Sequence, residues 1–328
     1  MNIFPIVVES VPDEQYNIVE WMLGNTCNYD CSFCPAEFKA GDKKYLDIEL
    51  YISTCKRLIE QSNDKKIWFK ITGGEPTLYP KLIELLKFIK SAGHFTYIIT
   101  NGSRTLRYWQ ELKDASCVDF IAVSMHPEQD ADVDHIINVI NIFKDTESIV
   151  TTNITCVPKY FNVALSSFYK IYKNCPTVIN LQQINDDEQL AKYSDTQLKI
   201  LLSHSNRPTP SYNEKPKSSI PEEYKYHTGQ LKFTYNDGSI KTDHAINFIK
   251  RGEDNFNGYT CDAGKKFIRI SHESIQRAIC GEGLKWSIYD EILFAKDPIK
   301  CTRTKCDCTL DMIQTKNISP SVRKLFQD

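Results

Sequence analysis

The chain has 328 residues, 40 basic against 42 acidic side chains, 41% hydrophobic residues and 12 cysteines. That length holds one large domain or two unequal ones, and a formal net charge of −2 supplies no field for a polyanion, so a nucleic-acid partner is not expected. The N-terminal MNIFPIVVESVPDEQ lacks a basic region, its apolar run breaks early, and no later segment has the length of a membrane span. A soluble, cytoplasmic protein without a membrane partner is expected, and in the cytosol twelve cysteines need a reason other than disulfides.

Apolar strands are expected at 17–23, 66–72, 95–100, 118–124, 148–156 and 177–182. Helical patterns lie between them, near 46–62, 80–92, 104–113, 131–144, 163–173 and 195–203. In the first, Ile48, Ile52, Cys55, Leu58 and Ile59 share one face. Six strand-then-helix units argue for a parallel sheet with helices outside, an open sheet or a barrel, with its chemistry at the C-terminal strand ends. Residues 205–222 hold four prolines and read as a linker. Beyond it, 231–243 reads as a hairpin turning at Asn236-Asp237-Gly238, and 266–280 as a second.

Cys27-Asn-Tyr-Asp-Cys31-Ser-Phe-Cys34 directly follows the first strand. Three thiols in one short loop can converge on a soft metal centre, and three protein ligands leave one position for an outside ligand. A zinc knuckle with a distant fourth ligand, or three unrelated thiols, are the alternatives that spacing leaves open. The second strand ends in Thr72-Gly73-Gly74-Glu75-Pro76, where two glycines allow close backbone approach to a ligand and Glu75 can accept from an ammonium. Read alone, this is an ordinary strand-exit turn. Both motifs lie at C-terminal ends of neighbouring strands, and the pairing is what points to one site.

With these two motifs the chain resembles the radical S-adenosylmethionine (SAM) superfamily: CNYDCSFC fits CxxxCxΦC with Phe33 in the aromatic slot, and GGEP closes strand two. The resemblance covers roughly residues 15–200. It implies a partial (β/α)6 TIM-like barrel, a [4Fe–4S] cluster on Cys27, Cys31 and Cys34, and SAM on the fourth iron. It also implies reductive cleavage of SAM to a 5′-deoxyadenosyl radical, and a reductant such as flavodoxin or ferredoxin. By the same resemblance Gly73, Gly74 and Glu75 lie along the methionyl end of SAM and Phe33 along its adenine. Polar strand ends complete the expected cofactor contacts. Ser124 and His126 share one face, Asn153 lies between Thr151 and Thr155 on the polar face of its strand, and Asn101 closes the third strand. For each of these polar residues a plain strand-end hydrogen bond is the alternative.

A second cysteine set comprises Cys261, Cys280, Cys301, Cys306 and Cys308. It resembles the auxiliary-cluster extensions of the same superfamily, and five thiols fit the shortened "twitch" form better than the full SPASM domain. A second [4Fe–4S] cluster on Cys261, Cys280, Cys301 and one of the last pair, Cys306 ahead of Cys308, is the expectation; structural zinc is the alternative. Cys55, Cys117, Cys156 and Cys175 read as buried free thiols. Lys70, between Phe69 and Ile71, reads as a rim cation or a group reaching an anionic ligand.

The expected fold is α/β: a radical SAM core at 1–204, a linker at 205–222 and a smaller α+β auxiliary-cluster domain at 223–328. The expected activity is hydrogen abstraction from a small-molecule substrate (dehydrogenation, epimerisation or rearrangement). Only about 16 residues precede the first strand, which leaves no room for a leader-peptide-binding domain. A peptide-modifying enzyme is the alternative, and a non-catalytic iron–sulfur or zinc regulator, or a zinc hydrolase, are readings from other classes.

Overall fold

A computed structural model describes residues 3–10, 16–175, 177–184, 192–204, 230–276, 285–306 and 309–319. The linker expected at 205–222, and with it Cys280 and Cys308, lie outside the described residues.

In chain order the first elements are β1 (Pro5–Ser10), β2 (Tyr16–Met22), α1 (Ile48–Glu60), β3 (Lys66–Thr72), α2 (Leu82–Ser91) and β4 (Phe95–Thr100). Then come α3 (Leu106–Asp114), β5 (Phe120–Met125), α4 (Val133–Ile142), β6 (Ile149–Thr155), α5 (Phe161–Asn174), β7 (Val178–Gln182) and α6 (Asp195–His204). The C-terminal part holds β8 (Gln230–Tyr235), β9 (Ile240–His244), α7 (Ala245–Lys250), β10 (Thr260–Cys261), β11 (Phe267–Ser271) and β12 (Ser274–Gln276). It ends with β13 (Lys285–Ser287), β14 (Ile299–Lys300), α8 (Thr309–Met312) and β15 (Lys316–Asn317). The chain divides into two compact units, Trp21–Ser53 with Phe69–Ser218, and Met1–Glu20 with Thr54–Trp68 and Ser219–Asp328.

The strands β2-β3-β4-β5-β6-β7 neighbour one another in that order, β4 to β7 wholly within the first of these units, and the row does not close on itself, which makes it a partial barrel. β4, β5, β6 and β7 pair in parallel, and their register sets Ser124 opposite Asn153 and Asn153 opposite Asn180. A parallel pair needs a long crossover, which the intervening helices supply. Each helix buries one stripe: Leu82, Leu85, Leu86 and Ile89 on α2, Trp109 and Leu112 on α3, and Ile136, Val139 and Ile140 on α4. The Thr105 and Asp132 side chains cap α3 and α4 by accepting from Tyr108 N and Asp134 N, each worth about 1 kcal/mol. Along β6 the alternation is visible as burial, with Val150, Thr152 and Ile154 buried while Thr151 and Asn153 are half-buried. Apolar and polar rows thus face opposite sides, as their period of 2 requires.

The other unit is built on antiparallel pairing. Its larger sheet has the order β14-β10-β15-β1-β8-β9. β8 and β9 form the expected hairpin, with Gly238 at φ +83° and Ser239 N donating to Asp237 Oδ1 at 2.9 Å. β11 and β12 form the second, turning at His272 with φ +56°. Phe233 stacks on Phe248 at 3.7 Å between centroids, beside Phe256 and Tyr259. Among the described residues no helix is long and apolar enough to cross a membrane.

Candidate functional site

The site is built where the ends of β2 and β3 meet. Leu23 N donates to Thr72 O at 3.1 Å, Gly74 N to Gly24 O at 3.0 Å and Glu75 N to Thr26 O at 2.8 Å, so the GGEP turn is laced to the chain just before Cys27. This contact explains the glycines. A Cβ on Gly73 would stand 2.6 Å from Gly24 O, and one on Gly74 2.3 Å from Thr26 O, both impossible without moving backbone. The space a side chain would take is filled by residues 24–26.

Glu75 is 1% exposed, and its carboxylate is satisfied by the chain itself. Oε1 accepts from Thr77 N at 3.0 Å, Thr77 Oγ1 at 2.5 Å and Thr100 Oγ1 at 2.8 Å, and Oε2 accepts from Asn101 N at 2.7 Å. Burial pushes its carboxyl above the usual carboxylate range while these donors pull it back. Asn101 carries the linkage on to the cysteine loop: its Nδ2 donates to Asn28 Oδ1 at 3.0 Å, and Asn28 Nδ2 donates to Ser103 Oγ at 2.9 Å.

Cys27, Cys31, Phe33, Cys34, Gly73, Gly74, Glu75, Asn101 and Ser124 all border one cavity of about 150 Å³. Tyr29, Thr72, Ile99, Thr100 and His126 complete its wall. Asn153 does not border it; one strand further along the sheet, its Oδ1 accepts from Asn180 Nδ2 at 3.2 Å. Lys70 Nζ lies 5.6 Å from the Tyr97 ring centroid. Tyr29 and Asn28 carry no local signal in the sequence, because their partners His126 and Asn101 lie far away in the chain, whereas His126 borders the cavity together with Ser124, whose strand face it shares.

The three thiols are held protonated in the metal-free chain. Burial, reinforced by the Glu128 carboxylate, pushes Cys31 up to about 12, and burial raises Cys27 and Cys34 as well. Burial also lowers the His126 imidazole to about 4, and its Nδ1 is buried without a partner. The His126 ring lies 6.1 Å from that of Tyr29 and 5.6 Å from that of Phe33. Three sulfur donors beside one cavity, with a buried ring nitrogen lacking a partner, fit a soft iron–sulfur centre. Among the described residues no three His, Cys, Asp or Glu are gathered as a single-ion site.

The second cysteine set is partly described. Cys261, Cys301 and Cys306 border a cavity of about 30 Å³ with Asp311 and Lys316. Cys301 N donates to Tyr259 O at 2.7 Å and Cys306 N to Asp254 O at 2.9 Å, which fixes the backbone of both. Lys316, 1% exposed, donates to the carbonyls of Asp311, Met312 and Gln314 at 2.6, 3.1 and 3.0 Å, so its charge is fully solvated inside the protein.

Residues 21–162 match the family model of the Radical SAM superfamily. This chain carries a radical SAM domain. Proteins of this superfamily use SAM and a [4Fe–4S] cluster. The chain is 26% identical over 176 residues to an S-adenosylmethionine-dependent nucleotide dehydratase of a Thermoplasmatales archaeon, covering 49% of this chain and 62% of that one. It is 32% identical over 107 residues to a probable GTP 3′,8-cyclase of Saccharolobus islandicus, covering 32% and 33%. The chain thus spans less than two thirds of either curated relative. Streptococcus suis SuiB, solved bound to its precursor peptide SuiA, shares the fold with a TM-score of 0.51 at 14% identity, over 88% of this chain and 64% of SuiB. The radical SAM domain covers every residue that borders the cavity of Cys27, Cys31 and Cys34.

Proposed function

We propose that the chain is a radical SAM enzyme whose site lies at the cavity shared by the cysteine loop and the GGEP turn. The observation that carries this reading is that Cys27, Cys31 and Cys34 border the same cavity as Gly73, Gly74 and Glu75. Cys27, Cys31 and Cys34 would hold the cluster, and Gly73, Gly74, Glu75, Asn101, Ser124 and Phe33 would border SAM, with Asn153 and Asn180 further along the same polar row. When bound, the cluster and SAM supply reductive cleavage to a 5′-deoxyadenosyl radical that takes hydrogen from the substrate. The chain's own part is placement: Glu75 pins the 100–101 backbone, Asn101 and Asn28 pin the cysteine loop, and Tyr29 and Phe33 line the cavity beside the His126 ring. His126 is neutral near pH 7 and presents its ring without adding charge.

The substrate we assign is a small molecule of the nucleotide class, because two relatives are named for reactions on nucleotides. The peptide alternative has only a likeness of fold behind it. A one-electron reductant such as flavodoxin or ferredoxin and a cytoplasmic location, where thiols stay reduced, complete the proposal. For the C-terminal segment we assign an auxiliary cluster to Cys261, Cys301 and Cys306, with Cys280 or Cys308 as fourth ligand and Lys316 as the neighbouring counter-charge. The test is anaerobic reconstitution followed by dithionite and SAM. The wild-type chain should form 5′-deoxyadenosine, and Cys27→Ala, Cys31→Ala and Cys34→Ala combined should abolish it. Retained cleavage in the triple variant would refute the assignment.

A further inference from the structure

The cysteine loop is gripped from a distant part of the chain. β5 is followed by one 3-10 turn, Pro127–Gln129, which Asp130 closes with φ +51° and its N–H on Pro127 O at 3.3 Å. From this turn Glu128 reaches Ser32 with both carboxylate oxygens: Oε1 accepts from Ser32 N at 2.6 Å and Oε2 from Ser32 Oγ at 2.8 Å. Gln129 Oε1 accepts from Asp30 N at 3.1 Å. The two amides so held flank Cys31 on either side in sequence. On the same loop Lys39 Nζ pairs with the Asp30 carboxylate and donates to Cys31 O at 2.8 Å. His126, immediately before the turn, sets its ring beside Tyr29 and Phe33 of the loop.

We propose that Glu128 and Gln129 are positioning residues that fix the conformation of residues 30–34, and that the Glu128 carboxylate holds the reduction potential of the cluster on that loop low. This rests on the assignment of the cluster to Cys27, Cys31 and Cys34. Bidentate, charge-assisted bonds to a backbone N–H and a hydroxyl restrict Ser32 in a way no single neutral bond does. A fixed negative charge close to Cys31 opposes the addition of an electron to a centre bound there, since like charges in a partly buried site are weakly screened. The same charge is among the causes that keep the Cys31 thiol protonated in the metal-free chain. Lys39 acts on Cys31 in the opposite sense, and its own pairing with Asp30 offsets part of that positive charge.

The test compares Glu128→Gln and Glu128→Ala with the wild type by two readouts. Hydrogen exchange on the metal-free protein reads the clamp: exchange confined to residues 28–34 should be at least tenfold faster in Glu128→Ala, while Glu128→Gln, which keeps an acceptor for Ser32 N, stays closer to wild type. Redox titration of the reconstituted protein followed by electron paramagnetic resonance reads the charge: both variants should titrate at a more positive midpoint. Unchanged exchange in Glu128→Ala overturns the clamp, and an unchanged midpoint in Glu128→Gln overturns the charge effect. A wild-type protein that takes up no cluster refutes the cluster assignment instead, and the exchange comparison still decides the clamp.

Discussion

The Asn101 backbone N–H donates to Glu75 Oε2 at 2.7 Å, joining the end of β4 to the turn after β3 through a carboxylate that is 1% exposed. Thr77 and Thr100 occupy the other oxygen, so this acidic side chain ties the 75–77 turn to the 100–101 segment beside the cavity. An acceptor-only group is required here, because every partner is a donor.

Glu75→Gln therefore turns one acceptor into a donor facing another donor. The expected cost is about 1–3 kcal/mol, the loss for a buried polar group left without its partner. Chemical denaturation of the metal-free protein measures it. SAM affinity of the reconstituted protein should fall as well, because residues 100–101 lose their anchor.

Gly74→Ala places a methyl group 2.3 Å from Thr26 O, where only backbone can yield. Overpacking of this kind costs about 1–3 kcal/mol. The cysteine loop should shift away from the GGEP turn, and iron uptake on reconstitution should drop while helical circular dichroism is retained.

The acid limb of stability should depend on His126. Its folded pKa of about 4 lies below its ordinary value of 6.5, so the unfolded chain takes up the proton first. The stability it contributes is present above pH 6.5 and is lost as the pH falls towards 4, with a limiting slope of about 1.4 kcal/mol per pH unit. His126→Phe should flatten the melting temperature of the metal-free protein across that window relative to wild type. Parallel curves would show that His126 is not held neutral.

Cys261→Ala with Cys306→Ala should remove one cluster's worth of iron and sulfide and leave 5′-deoxyadenosine formation, because these thiols line a cavity separate from that of Cys27. Iron content equal to wild type would assign the C-terminal thiols a role without iron.

Much of the fold was legible in local pattern. The strands expected at 66–72 and 95–100 match β3 and β4 residue for residue, and the six helices differ from expectation only at their ends. Period and strand-exit glycines carry that information within a few residues. β1 was not legible: Pro5–Ser10 is short, and it becomes a strand by pairing with β8 and β15, both over 200 residues away. The same limit applies within the site. CNYDCSFC and GGEP announce themselves, but the reason for Gly73 and Gly74 lies in residues 24–26, and Glu128 meets Ser32 across 96 positions with no spacing rule to reveal it. Asn153 illustrates the converse: a period of 2 sets which face of β6 it shares with Thr151, but not how far that strand lies from the cavity.

The most direct measurement is electron paramagnetic resonance of the anaerobically reconstituted, dithionite-reduced protein with and without SAM. A [4Fe–4S]⁺ signal whose g-values change when SAM is added is the expected result, since three protein thiolates leave one iron for an outside ligand. A cluster signal indifferent to SAM, or no cluster on Cys27, Cys31 and Cys34 at all, would contradict it.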